Sequence, residues 1–187
     1  MEVLDIYDKN RQLTGKTMNR SQGKVALLDG EYVIQVKCWI LNEENKVLLT
    51  QRRKDKYNGG MWEPTGGLVT TGETSIEAIK RELFEEIGIK VKDDSIRLID
   101  SYRDEHFFRD VYLIKDNITL NSIKFNDGEV ADAKYVTIEE FKEMLQKNEI
   151  NSWNESFIKL YRNMINDNEN GVKYKKLYKE GWKNGRK

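Results

Sequence analysis

The chain has 187 residues, and lysine plus arginine balance aspartate plus glutamate at 32 each, so the formal net charge is zero. That length suits one domain with a substantial core, and a neutral balance argues against general nucleic-acid binding, which shows as basic excess. A charged fraction of 34%, no apolar run of spanning length, no basic-then-apolar start in MEVLDIYDKNRQ and a single cysteine predict a protein of the reducing cytoplasm, outside the membrane.

Taken in chain order, residues 1–31 hold two short strand-like pieces, Val3–Tyr7 and Val25–Leu28, around a polar stretch. They are expected to pack as an N-terminal extension. Tyr32–Leu41 is apolar, β-branched and aromatic, and reads as a central strand. Its Cys38 is most simply a small buried hydrophobe, away from the glycine loop that follows. Asn42–Lys46 reads as a turn and Val47–Arg52 as the second strand of a hairpin. Gly59 to Gly67 form a glycine-rich loop stiffened by Pro64, the only proline.

Next comes a helix. Thr74 and Glu77 are spaced as a capping box, so it should begin near residue 75. Ile76, Ile79, Leu83 and Ile87 form one apolar stripe within roughly 80° of arc. Gly88 should end the helix in a left-handed turn. Glu82, Glu85 and Glu86 stand at i, i+3, i+4 and form one acidic cluster beside the stripe. Their repulsion is unfavourable on a bare helix, and a hard divalent cation such as Mg²⁺ offsets it. The ordinary alternative is an amphipathic helix with a solvated acidic face. Arg81 and Glu73 are expected to pair and tie the preceding loop to the helix. Gly66 and Gly67 let the backbone turn tightly, so that a carbonyl approaches the same cation.

Beyond the helix, Val91, Ile96, Leu98 and Ile99 mark another strand, and Phe107–Lys115 a further one. His106, the only histidine, reads as a loop or strand-end residue. Glu129–Val136 leads into Thr137, the cap of a second helix reaching Leu145. Ser156–Asn166 predicts a third, with Phe157, Leu160, Tyr161 and Met164 on one face, and residues 170–187 are basic and aromatic. Strands interleaved with helices predict an α/β fold with a mixed sheet.

Gly67, Glu73, Arg81, Glu82, Leu83, Glu85, Glu86, Gly88 and Ile89 fit the pattern G-x5-E-x7-R-E-U-x-E-E-x-G-U, where U is a bulky aliphatic. This is identified as a Nudix box, and the chain resembles Nudix hydrolases, which cleave diphosphates linked to another moiety. The resemblance implies an α/β/α sandwich over about residues 32–147, followed by a C-terminal helical extension, 148–187. It implies a hydrolase acting on phosphoanhydride bonds with Mg²⁺, or Mn²⁺ in its place. The ligands it implies are Glu82, Glu85, Glu86 and the Gly67 region. The expected substrate is a small diphosphate, foremost a nucleoside diphosphate derivative, and a homodimer is compatible with it.

The box does not fix which of Glu82, Glu85 and Glu86 serves as base. Glu129 is a further candidate from outside the box, with Asp127 its local competitor. Arg52 and Arg53 close a strand where guanidinium groups grip phosphate, unless they are surface charges beside Lys54 and Lys56. Trp62 either stacks on a substrate ring or packs beneath the glycine loop. Leu4-Asp5-Ile6-Tyr7-Asp8, Thr14-Gly15-Lys16 and Met61-Trp62-Glu63 are similar to the branch that holds isopentenyl-diphosphate isomerase. Isomerisation there needs a loop cysteine and a histidine-rich metal site, and the loop Trp62-Glu63-Pro64-Thr65-Gly66-Gly67 has no cysteine. A non-catalytic nucleotide sensor is the third reading, although such proteins usually lose box carboxylates.

Overall fold

The computed structural model describes residues 2–23, 26–126, 128–150, 157, 158 and 161. The chain opens with an antiparallel hairpin of β1 (Val3–Tyr7) and β2 (Leu13–Asn19), a two-stranded sheet of its own. β2 lies where the sequence reads as a polar stretch. Met18 is its one buried residue, so the strand carries no alternating signal, and pairing to β1 holds it extended. Ala26 to Leu28 form no strand, contrary to expectation, and Val25 lies outside the described residues. Leu27 instead fills a small core with Leu4, Ile6, Met18 and Val33 beneath the hairpin.

A seven-stranded mixed sheet follows. Its strands are β3 (Val33–Leu41), β4 (Val47–Arg52), β5 (Trp62–Glu63), β6 (Thr65–Leu68), β7 (Ile96–Asp104), β8 (Phe107–Lys115) and β9 (Val130–Val136). They run in the order β5-β4-β3-β8-β7, with β6 also paired to β3 and β9 also paired to β4. β3 is parallel to β8 and antiparallel to its other neighbours. The β3–β4 hairpin pairs only at its closed end, Ile40 with Leu48 and Leu41 with Val47. Further along, β6 takes the place beside β3. Val91, expected in a strand, lies before β7.

Alternation along β3 sends side chains to two cores. Ile34, Val36, Cys38 and Ile40 pack against Ala78, Ile79, Leu83 and Ile87 of α1 (Ser75–Ile87). Trp39 and Leu41 pack on the other face against Phe141 and Met144 of α2 (Ile138–Gln146). The result is the expected α/β/α sandwich. Most of the predicted third helix lies outside the described residues, but Phe157 and Tyr161 are buried in the second core, where Phe157 stacks on Trp39 at 3.7 Å between centroids. Among the described residues no helix is long and apolar enough to cross a membrane.

Cys38 sits under α1, and its backbone pairs with Thr65 of β6, so it lies next to the glycine segment rather than away from it. Burial pushes its thiol pKa up, out of the range of an active thiolate. Cys38→Ser should therefore destabilise by about 1–3 kcal/mol, by burying a hydroxyl among aliphatic groups. Turnover number should stay at the wild-type value. A melting curve and a turnover assay check both halves, and loss of turnover in the folded variant would point to a thiol mechanism.

The N-terminal hairpin is clamped to the sandwich by Asp110, which is 2% exposed. Arg11 Nη1 donates to its Oδ1 at 2.8 Å, and Ser75, the first residue of α1, and Ser101 also donate to it. Burial raises the pKa of Asp110, but the hydrogen bonds from Arg11 and Ser75 outweigh that and hold it below the ordinary carboxylate value. A lowered folded pKa adds stability above the unfolded value of about 4 and loses it as pH falls through the folded one. Asp110→Asn should cost about 2–3 kcal/mol at pH 7 and flatten the acid limb of the melting temperature below about pH 4. Parallel acid limbs in the two proteins would overturn the assignment.

Candidate active site

α1 presents the acidic cluster because its ends are well defined. The Thr74 hydroxyl accepts from the Glu77 amide, the Glu77 carboxylate accepts from the Thr74 amide, and Gly88 takes the left-handed conformation at φ 72°. With the apolar stripe turned to the sheet, Glu82 and Glu86 come to lie at the rim of the core, 7% and 4% exposed. Glu85 is half-buried beside them.

Arg81 organises this rim. Its guanidinium donates to Glu73 Oε1 at 2.9 Å, Glu82 Oε1 at 2.7 Å, Glu85 Oε2 at 3.0 Å and the Leu68 carbonyl at 3.0 Å. The expected Arg81–Glu73 tie is thus present, and it reaches β6 as well. Burial disfavours the charge on Arg81, yet the Glu73 hydrogen bonds and neighbouring Glu82 raise its pKa further. Burial pushes Glu82 up to about 7, against the opposing charge of Arg81.

Gly66 and Gly67 act differently from the tight turn expected of them. They lie in extended strand β6, paired with Lys37 and Val36 of β3. A β-carbon at Gly66 would overlap the Val36 carbonyl oxygen, and one at Gly67 would overlap the Glu82 carboxylate. Only a strand without side chains there fits between β3 and α1. The missing Cβ brings the Gly67 backbone against the Glu82 carboxylate.

Arg52 comes to the same region. It donates to Glu63 Oε1 at 2.9 Å and reaches Glu129 Oε2 at 3.5 Å, and the charges of Glu129 and Glu86 both act on it. Glu129 also faces Lys56 Nζ at 4.0 Å. Arg53 is placed differently, with Nε donating to Asp55 at 3.0 Å and its backbone amide bonded to the Glu129 carbonyl. Trp62 is buried in the second core, with Lys134 Nζ 4.1 Å from its ring centroid. His106 lies in the β7–β8 turn, its Nδ1 3.0 Å from the Glu31 carbonyl oxygen. Asp127 lies outside the described residues.

One residue near the site had no signal in the sequence. Arg20, just after β2, is paired with Glu2 at 2.6 Å and feels the charges of both Glu129 and Glu82. The hairpin brings it within electrostatic range of both, a placement that no local pattern encodes.

This sandwich carries three carboxylates on α1 beside a glycine strand, the arrangement of a Nudix domain. The NUDIX domain family model matches residues 31–161. A Nudix hydrolase of Listeria monocytogenes is 35% identical over 151 residues, 80% of this chain and 88% of that protein. An isopentenyl-diphosphate Delta-isomerase of Pectobacterium atrosepticum is 28% identical over 158 residues, 79% of this chain and 84% of that one. A crystal structure from Deinococcus radiodurans superposes with a TM-score of 0.69 at 22% identity, covering 87% of this chain and 98% of the other, which bears on the fold alone. The chain belongs to the Nudix hydrolase family.

Nudix hydrolases generally use divalent metals. Among the described residues, no three acidic, histidine or cysteine side chains converge tightly enough to hold a metal ion, and Arg81 donates to both Glu82 and Glu85. The donor chemistry nevertheless fits a hard cation. Glu82, Glu85, Glu86 and the Gly67 carbonyl offer only oxygen, and the Gly67 backbone lies against the Glu82 carboxylate.

Proposed function

We propose that this chain is a divalent-cation-dependent pyrophosphohydrolase that cleaves the phosphoanhydride bond of a nucleoside diphosphate derivative. One observation carries the reading: the box carboxylates are all kept, two of them buried, with Gly67 pressed against one of them. Buried carboxylates side by side are unfavourable by themselves and are favoured by a bound cation.

Glu82, Glu85, Glu86 and the Gly67 carbonyl would hold the ion, Mg²⁺ or Mn²⁺, which when bound would supply positive charge for the phosphates and acidify water. Arg52, already among carboxylates at the rim, takes a non-bridging phosphate oxygen, and Arg53 serves from the strand end if it leaves Asp55. Proton acceptance falls to one of Glu82, Glu85, Glu86 and Glu129, the last held close by Arg52. Trp62, buried in the second core with Lys134 against its ring, packs beneath the loop rather than stacking on a substrate ring. In this reading residues 1–31 are a packed extension, 32–147 the hydrolase domain and 148–187 a C-terminal extension, and the enzyme works in the cytoplasm on small molecules.

Isomerisation of a prenyl diphosphate is disfavoured, because the chain's one cysteine is sealed under α1 and its histidine sits in a turn bonded to Glu31. A non-catalytic sensor has no reason to keep every box carboxylate. The test is ion-exchange analysis of products from nucleoside diphosphate sugars, dinucleoside polyphosphates, nucleoside di- and triphosphates and prenyl diphosphates, with Mg²⁺ and with EDTA. Two phosphorylated products and full EDTA sensitivity are expected with a nucleoside diphosphate derivative. Faster turnover of phosphomonoesters, or indifference to EDTA, would overturn the reading.

A further inference from the structure

β1 places an aspartate in the middle of a strand, VLDIY, although aspartate is a poor strand former. Its neighbours Leu4 and Ile6 turn into the small core beneath the hairpin, so alternation sends Asp5 to the opposite face. There its Oδ2 accepts from the Gly72 amide at 3.0 Å. One residue earlier, the Thr71 amide donates to the Val3 carbonyl oxygen at 2.8 Å. β1 thus holds two successive amides of the segment between β6 and α1. Gly72 is left-handed at φ 79°, a conformation that glycine enters and leaves easily, so bonds from outside the turn help to fix it.

That segment joins the two parts of the proposed cation site, with Gly67 of β6 before it and Glu82 and Glu85 of α1 after it. Glu73, next to Gly72, is the link. Its Oε2 accepts from the Thr70 amide at 3.1 Å and the Thr70 hydroxyl at 2.9 Å. Both its carboxylate oxygens accept from Arg81, at 2.9 and 3.0 Å. Arg81 in turn donates to Glu82 and Glu85. A run of hydrogen bonds and one peptide link therefore leads from Asp5 to the box carboxylates. The hairpin also grips the start of the same helix, where Asp110 accepts from Arg11 and Ser75 together. α1 itself is held to the sheet by its apolar stripe and begun by its own capping box. Losing the Asp5 bond thus frees the turn and leaves the sandwich in place.

We propose that Asp5 is a positioning residue for the cation site: by holding the Gly72 amide it fixes Glu73, and through Arg81 it sets where Glu82 and Glu85 stand. This rests on the metal-dependent reading of that site. The N-terminal hairpin is then part of the scaffold of the site as well as a cover for the sheet.

Mn²⁺ affinity of the full chain, followed by the paramagnetic signal of the free ion, tests this without turnover. Asp5→Ala should weaken Mn²⁺ binding about tenfold, the lower end of what outer partners of metal ligands contribute, and lower turnover at subsaturating Mn²⁺. Asp5→Asn keeps an oxygen that accepts from Gly72 and should bind Mn²⁺ as wild type does. Thr137→Ala removes the cap of α2 on the other side of the sheet, and should melt lower than wild type with Mn²⁺ affinity unchanged. Combined with Glu73→Gln, Asp5→Ala should cost less than the product of the two separate losses, because both act through Arg81. Asp5→Val, a better strand former, stands in for Asp5→Ala if that protein does not fold. The inference is overturned if wild type binds no Mn²⁺, if loss of the Asp5 carboxylate leaves affinity unchanged, or if Asp5→Asn is as weak as Asp5→Ala. It is equally overturned if Thr137→Ala weakens Mn²⁺ binding as much, or if the losses with Glu73→Gln multiply. Asp5-dependent Mn²⁺ binding without cleavage of any diphosphate would leave this inference standing and remove the hydrolase reading. Metal-dependent cleavage indifferent to Asp5 would do the reverse.

Discussion

Glu86→Gln should lower turnover of a diphosphate substrate by about 10²–10³-fold, with the fold intact. The side chain is 4% exposed at the rim of the α1 core, one turn beyond Glu82. Glutamine keeps its shape and one carbonyl oxygen, so packing against the sheet is preserved. The amide removes a formal charge from a row of carboxylates, which relieves repulsion and weakens the hold on a divalent cation. The melting temperature without metal should therefore hold or rise, and the stabilisation gained on adding Mg²⁺ should shrink. Glu85→Gln should share the loss of turnover. Near-normal turnover of both variants at saturating Mg²⁺ would remove these carboxylates from the metal site.

Gly67→Ala should cost about a hundredfold in turnover with a modest loss of stability, about 1–2 kcal/mol. The added methyl meets the Glu82 carboxylate, a side chain that can swing aside, so the strand survives while the carboxylate leaves its place. Gly66→Ala makes the informative contrast. Its methyl meets the Val36 carbonyl oxygen, part of the backbone of β3, and cannot be accommodated without parting β6 from β3. That variant should lose more stability than Gly67→Ala, and the two melting curves with turnover numbers at several Mg²⁺ concentrations separate the effects. A Gly67→Ala enzyme with unchanged turnover and metal response would show that the Glu82 carboxylate tolerates displacement.

Much of this was legible in the linear sequence, for a physical reason in each case. The limits of α1, its capping box and the left-handed Gly88 depend on contacts within a few residues, so spacing encodes them. Phe107–Lys115 and Val47–Arg52 are dense in apolar and β-branched residues, and they form strands with the predicted bounds. The box places Glu82, Glu85 and Glu86 on one side of a helix by geometry alone.

Other features needed the chain to meet itself. β2 has one buried residue and exists because β1 pairs with it. In sequence, Gly66 and Gly67 look like a turning loop because glycine is a turn residue in isolation, whereas here glycine lets strand β6 fit against both β3 and the Glu82 carboxylate of α1. Arg52 and Arg53 are adjacent in sequence, but the end of β4 sends the first to Glu63 and Glu129 and the second to Asp55. Arg20, 62 positions before Glu82, comes within electrostatic range of it through the hairpin. Local spacing determined the helix, its caps and the carboxylates upon it. Strand register and burial, which depend on residues far apart in the chain, decided which cations lie near those carboxylates, Arg52 through the end of β4 and Arg20 through the hairpin.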